Sequence, residues 1–286
     1  MDLNGDGHTD ILSGSYSRPG RDMAGLFQVL YGDGKGGFQK PEALHGTDGE
    51  PLILPATGGD DADPIIGKIC TRPFACDLDG DGKLDLVAGN FLGTFGFFQG
   101  DGKGRFAPKA SWLERGGEPL KVGMHSDPFL VDWDRDGDLD LLSGSAEGGA
   151  FLFVNEGSKT APKFGARQTL LEPTGHGMRM DGAPRFGDEH VTGPQSGTRV
   201  WASDVDGDGK LDLLVGDQLT LTHLNEGVDQ KQATQKLDAW NKKLQKLFES
   251  NNGGDDFGTK YEAMQKEKAK LVKEEITGFV WLLRRK

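Results

Sequence analysis

Four times in 286 residues the sequence places carboxylate or amide oxygens at alternate positions of a nine-residue pattern. The copies are Asp2-Leu-Asn4-Gly-Asp6-Gly-His8-Thr-Asp10, Asp77-Leu-Asp79-Gly-Asp81-Gly-Lys83-Leu-Asp85, Asp132-Trp-Asp134-Arg-Asp136-Gly-Asp138-Leu-Asp140 and Asp204-Val-Asp206-Gly-Asp208-Gly-Lys210-Leu-Asp212. Side chains at positions 1, 3, 5 and 9, with the backbone carbonyl of position 7 (His8, Lys83, Asp138 or Lys210), offer oxygen ligands to a hard cation. Glycine at position 6 permits the sharp turn that points alternate side chains inward. Carboxylates crowded in this way repel one another unless a cation lies among them. The expected ion is Ca2+, up to four in all, with the first site the weakest because Asn4 replaces an Asp. Magnesium suits the pattern less, since it gives up water reluctantly and rarely takes an all-protein cage.

Two other readings of the pattern compete. The helix-flanked twelve-residue calcium loop requires a Glu at position 12, where this sequence has Ser13, Ala88, Ser143 and Val215. An Asx-rich turn without metal would account for one copy, but four copies with shared flanks argue against it. Each loop is followed by an aliphatic pair (Ile11-Leu12, Leu86-Val87, Leu141-Leu142, Leu213-Leu214) and a Gly at 14, 89, 144 or 216. Three loops are preceded by a strand whose aromatic stands three residues before the first Asp: Phe74, Phe129 and Trp201. Downstream lie Gly-rich turns ending in Phe38, Phe106 and Phe164. Gly-Asp-Gly-Lys-Gly joins two strands there, so it reads as a hairpin turn and not a phosphate loop. The unit is strand, Asp loop, strand, strand, Gly turn, strand: one antiparallel sheet of about four strands, the size of a propeller blade. The first unit lacks its leading strand, which predicts either a truncated start or a slot filled from elsewhere.

Composition agrees. The 45 Gly and 13 Pro, without a collagen-like period, mean many turns between short strands. Net charge is −12, divided between an acidic body over residues 1–228 and a basic tail over 229–286. An acidic body repels phosphates, so nucleic acid is not an expected partner. No apolar run is long enough to span a membrane. In the tail, Leu237, Trp240, Leu244 and Leu247 form one helical stripe and Phe257, Tyr261, Met264 and Leu271 a second, broken at Asn251–Gly254. Trp240 is expected in the seam between the two helices. After Gly278, residues 279–283 read as a strand, expected to return to the propeller beside Ile11–Gly14, and Arg284-Arg-Lys286 as a solvated terminus. A Cys70–Cys76 bridge would need a sharp bend near Arg72-Pro73, because an extended segment of that length spans about 20 Å and a disulfide needs Cα atoms within roughly 7 Å.

The loops and their flanks resemble FG-GAP or VCBS repeats, the calcium-loop β-propeller repeats also found in integrin α-subunits. Thr-Arg-Pro-Phe-Ala-Cys-Asp-Leu-Asp-Gly-Asp-Gly and His-Ser-Asp-Pro-Phe-Leu-Val-Asp-Trp-Asp are similar, in particular, to secreted bacterial proteins of planctomycete type. The fold class expected is all-β: a propeller of four units over residues 1–228, a helical hairpin over 229–277 and a closing strand over 278–286. The resemblance implies a secreted, periplasmic or cell-surface location and a binding role toward a protein or glycan, with no catalytic residues to carry over. The alternative is a propeller-fold polysaccharide lyase or glycosidase with its site over the channel, which would need unpaired Asp, Glu, Arg and His at the axis. His125, His176 and His190 read as loop residues, since no second His stands at ligand spacing.

Overall fold

The short apolar runs that follow the Asp loops become strands because each is too brief for a helix and is bounded by turn-forming residues. The computed structural model describes residues 1–16, 25–55, 68–174, 185–249 and 256–286. It is mostly β, with four small antiparallel sheets standing as propeller blades and two helices near the C-terminus. Sheet one holds β1 (Ile11–Gly14), β2 (Phe27–Leu30) and β3 (Glu42–Ala43) in that order, without a leading strand among the described residues. Sheet two holds β4 (Arg72–Cys76), β5 (Asp85–Gly89), β6 (Phe95–Phe98) and β7 (Ser111–Trp112). A small ribbon follows, β8 (Glu114–Arg115) with β9 (Glu118–Pro119). Sheet three holds β10 (Asp127–Val131), β11 (Asp140–Gly144), β12 (Ala150–Phe153) and β13 (Gln168–Leu171).

Sheet four departs from the plan. It starts with β14 (Ser196–Ser203) and β15 (Asp212–Leu224), and its third place is taken by β17 (Val280–Leu283). Between β15 and β17 run α1 (Gln230–Glu249), α2 (Phe257–Lys268) and β16 (Val272–Thr277). The far half of β15 pairs with β16, from Leu219↔Thr277 to Leu224↔Val272, and the near half pairs with β17, from Leu213↔Leu283 to Gly216↔Val280. The helical hairpin therefore rides on a two-stranded stalk inserted into the turn that, in sheet three, is only residues 145–149. The C-terminal strand does return to the propeller, but it completes sheet four and does not pair with β1, as the sequence had suggested. The vacancy beside β1 and the spare strand match in kind, yet β15 is the nearer partner once the stalk has folded back on itself.

The expected helical seam is present. Asp229 Oδ1 accepts the Gln232 N–H at the start of α1, and α1 buries Ala233, Leu237, Trp240 and Leu244. The Trp240 indole N–H donates to the Met264 carbonyl at 2.7 Å, with Lys268 over its ring. Leu271 falls beyond α2. The break at 251–254 and His176 lie outside the described residues. Cys70 and Cys76 are free thiols, and β4 runs without the bend a bridge would require.

Three clusters of buried side chains hold successive sheets together. Leu3, Phe27, Val29, Leu86 and Phe98 join sheets one and two. Val87, Phe95, Leu141, Phe151 and Phe153 join two and three. Phe129, Leu142, Leu152, Val200 and Leu213 join three and four, with Trp281 and Leu283 packed alongside. Each fully buried side chain of this size contributes about 1.5–3 kcal/mol, so the joints between sheets form the core.

Candidate metal centres in the Asp loops

In sheets two to four the Asp loop enters the second strand, and in sheet one it enters β1, which has the equivalent place. The loop backbone is the same four times, with left-handed φ at positions 4 and 6: Gly5 and Gly7, Gly80 and Gly82, Arg135 and Gly137, Gly207 and Gly209. Arg135 takes at φ 69° a conformation the other copies give to glycine, which for a side-chain-bearing residue costs about 1–2 kcal/mol. The sequence shows Arg at this place but not that the loop keeps its shape there.

The last Asp of each loop is buried and braces it. One oxygen of Asp10, Asp85, Asp140 and Asp212 accepts the N–H of the second loop residue (Leu3, Leu78, Trp133 and Val205), at 2.8 to 3.2 Å. The other oxygen accepts an N–H just past the strand that pairs next to the one the loop enters (β2, β6, β12 and β17), from Gly32, Gly100, Asn155 and Arg285. Arg285 holding the place of Gly32, Gly100 and Asn155 confirms β17 as the third strand of its sheet. Burial raises the Asp85 and Asp140 pKa values, and these N–H bonds offset part of that rise.

In three of the loops carboxylate oxygens converge. Oxygens of Asp77, Asp79 and Asp85 lie within 4.8 Å of one another, as do those of Asp132, Asp134 and Asp136, and of Asp204, Asp206 and Asp208. Asp81 is outside its group, with its two oxygens on the Lys83 N–H and the Lys83 ammonium. Asp140 and Asp212 are outside theirs and act as braces. Among the described residues the first loop forms no such group: the Asp2 carboxylate accepts the N–H groups of Gly5, Asp6 and Gly7, and the Asn4 side chain bonds Asp6. Asp6 and His8 are exposed there, and the His8 N–H donates to Asp6.

Whether these groups suit a hard cation is tested by what their oxygens lack. Asp77 Oδ1, Asp132 Oδ1 and Asp138 Oδ1 are buried without a hydrogen-bond partner. A buried carboxylate oxygen left unpaired costs several kcal/mol unless a cation or donor reaches it. In two loops the unpaired oxygen belongs to position 1, next to two converging carboxylates. The all-oxygen donor set therefore fits a hard divalent cation. Asp138 also presents a buried side-chain oxygen, where the sequence had suggested a contribution from its carbonyl alone. Its pKa is raised to about 6, by burial first and then by Asp136 and Asp140.

The fourth loop is more exposed, and Arg284 Nη1 lies 3.2 Å from Asp206 Oδ2. Arg285 donates to the Trp133 carbonyl and stacks its guanidinium over the Trp133 ring. Arg284 and Arg285 thus reach loops four and three, while Arg284, Arg285 and Lys286 all remain exposed, as expected of a solvated terminus. Acidic loops on one side of the sheets are the charge signal that could have placed it. No role was expected for Gln99, whose amide donates to Asp79 Oδ2.

At the other end of the leading strands, Arg72, Asp127 and Arg199 occupy equivalent places. Asp127 Oδ1 is 3.8 Å from Arg72 and 2.9 Å from Arg199. Burial pushes the Asp127 carboxyl up to about 6 and lowers the Arg72 pKa, while their attraction opposes both shifts. These axial charges pair with one another. His125 packs against Phe91 with the two rings tilted, and His190 sits in a turn.

A propeller of antiparallel sheets, each entered through an Asp-rich loop of one backbone shape, is the class these observations define. Residues 77–143 match the family model described as an FG-GAP-like repeat, and the other units stand on the same plan in a four-blade propeller arrangement. Among solved structures, the Photorhabdus luminescens Tc holotoxin pore, in a mutant form, is similar at 21% identity and a TM-score of 0.37. The match covers 68% of this chain and 7% of that one, so the chain spans a small fraction of its length. No curated protein matches the chain.

Proposed function

We propose that this chain is a calcium-stabilised, non-enzymatic binding and scaffold module for protein or glycan partners, working outside the cell or on its surface. The observation that carries the calcium reading is the pair of buried, unpartnered oxygens on Asp77 and Asp132, each beside two converging carboxylates. Loops two and three are the strongest sites, loop four is weaker because Arg284 already lies on Asp206, and loop one is the weakest. The resemblance of the repeats supports the location. The scaffold reading is supported by the use of the clustered carboxylates in loops and of the axial Arg72, Asp127 and Arg199 in mutual pairs.

Because the ion would tie the loop between two strands, its binding adds to folding stability by linkage, about 2.7 kcal/mol per site at a hundredfold excess over Kd. Thermal melts with calcium and with excess chelator test the reading. Calcium should raise the Tm, and the combined variant Asp77→Asn with Asp132→Asn should lose most of that rise. Identical melts under the two conditions would remove calcium from the account. Release of unsaturated sugars from a panel of anionic polysaccharides would remove the non-enzymatic role.

A further inference from the structure

The sheets share one plan, so what covers a face in one sheet shows what fits the same face in another. In sheets one to three the face toward the following sheet carries an apolar cross-strand row: Leu12–Val29, Phe74–Val87–Phe97 and Phe129–Leu142–Leu152. The next sheet closes each row, with Ala75, Leu86 and Phe98 over the first, Leu130, Leu141 and Phe153 over the second, and Val200, Leu213 and Leu283 over the third. Phe129, Leu142 and Leu152 are consequently 7%, 0% and 2% exposed. A glycine beside each row admits the incoming leading strand. A Cβ would lie 1.7 Å from the Thr71 carbonyl oxygen at Gly14, 2.2 Å from that of Ser126 at Gly89 and 2.2 Å from that of Thr198 at Gly144.

Sheet four repeats the rows without the cover. Its apolar row is Trp201–Leu214–Leu282 and its glycine row Arg199–Gly216–Val280. Trp201 is 59% exposed, Leu282 41% and Val280 75%. A Cβ at Gly216 would meet only Arg199 Cβ, at 3.9 Å. Among the described residues no buried cluster joins sheets four and one. Charge points the same way. Arg, Asp and Arg alternate along the three leading strands, Asp127 is shared by both cations, and Arg199 is half exposed. The next place in that series calls for a carboxylate.

We infer that the outer face of sheet four is a docking face for one further sheet of the same repeat, from outside residues 1–286, whose leading strand carries an acidic residue at the place of Asp127. A second copy of the chain fits less well. The face that its first sheet could offer carries Ile11, Ser13, Gln28 and Leu30, half of it polar, with no leading strand to bring a carboxylate. One element of the internal joints is not reproduced. In those joints a Thr or Ser hydroxyl accepts the N–H of Ser15, Asn90 or Ser145, whereas the Asp217 N–H in that place bonds the Phe279 carbonyl. Docking at sheet four rests on the open glycine, the apolar row and Arg199.

The test appends a second copy of residues 123–174, the sheet that begins Ser-Asp-Pro-Phe, to the full chain through a Gly/Ser linker. About 20 linker residues give a reach of about 25 Å and make docking intramolecular. The readout is maleimide labelling of a Leu282→Cys variant, with size-exclusion light scattering of the unextended chain. Labelling should be fast in the unextended protein and lose most of its rate when the extra sheet is appended. Gly216→Val in the host and Asp127→Arg made in the appended sheet alone should each restore fast labelling. Gly216→Val should leave the melting of the unextended chain unchanged, since the space around it is open. Equal labelling with and without the extra sheet overturns the inference. So does an unextended chain that is already a dimer, with the introduced thiol protected until Gly216→Val frees it, because the occupant is then a second copy.

Discussion

Asp140→Asn separates a brace from a metal ligand. The Asp140 carboxylate is fully buried, accepts the Trp133 N–H at 2.8 Å and the Asn155 N–H at 2.7 Å, and is outside the converging group of its loop. An amide of the same shape keeps one acceptor and turns a donor toward the other N–H. The loss is one charge-assisted hydrogen bond, about 1.5–3 kcal/mol, plus a buried donor left unpaired, about 1–3 kcal/mol. Relief of the buried charge, whose pKa burial already raises, returns part of this. A net loss of about 2–3 kcal/mol is expected, roughly 4–10 °C in Tm for a domain of this class. The assay is circular-dichroism melting of wild type, Asp140→Asn and Asp132→Asn, each in calcium and in chelator. Asp140→Asn should lower the Tm equally under both conditions, whereas Asp132→Asn should lower it chiefly in calcium. If the Asp140→Asn defect appears only in calcium, the residue is a ligand and the brace argument fails. If the variant melts like wild type, the two hydrogen bonds do not carry the weight given to them.

Gly89→Val places a side chain against the Ser126 carbonyl oxygen, 2.2 Å from its Cβ, and should cost at least about 3 kcal/mol through overpacking, read as loss of soluble folded protein. Replacing residues 217–279 by Ser-Ala-Glu-Gly-Gly, the turn of sheet three, should leave a propeller with its calcium-dependent melt intact, because Gly216 pairs directly with Val280; a chain that no longer folds would show that the stalk is integral. Trp240→Ala should cost about 3–5 kcal/mol within the hairpin, seen as faster amide exchange over 230–268 while the strands keep their protection. Burial pushes the Cys76 thiol up to about 12, so the native protein should leave it unalkylated at pH 8, where an ordinary thiol is already partly thiolate; rapid modification would contradict the packing of β4.

The loop pattern and its flanks made the four sheets legible, because alternation of period two and recurring Gly mark strands and turns without reference to the rest of the chain. The missing first strand was legible for the same reason. The partner of residues 279–283 was not, since an apolar run states that it wants a sheet edge but not which edge. The correspondence of Arg285 with Gly32, Gly100 and Asn155 settles it, and that depends on a hydrogen bond to Asp212. Strand β16 escaped notice because Val272-Lys-Glu-Glu-Ile-Thr277 is mostly exposed and charged. The double use of the last Asp was hidden as well: a carboxylate that braces backbone and one that faces a cation look alike in sequence.

The stalk also fixes an order of events. In sheet three, Leu141 finds Phe153 about 12 residues away, whereas in sheet four Leu213 must find Leu283 about 70 residues away. With no intervening structure the longer closure costs about 1.5 kcal/mol more in chain entropy. Pairing of β15 with β16 shortens that search, so the zipper should run from the helical hairpin down the stalk toward the propeller. On the ribosome, the strand that completes sheet four is among the last of these residues to emerge, and the apolar face of sheet three must meanwhile rely on β14 and β15 alone for its cover.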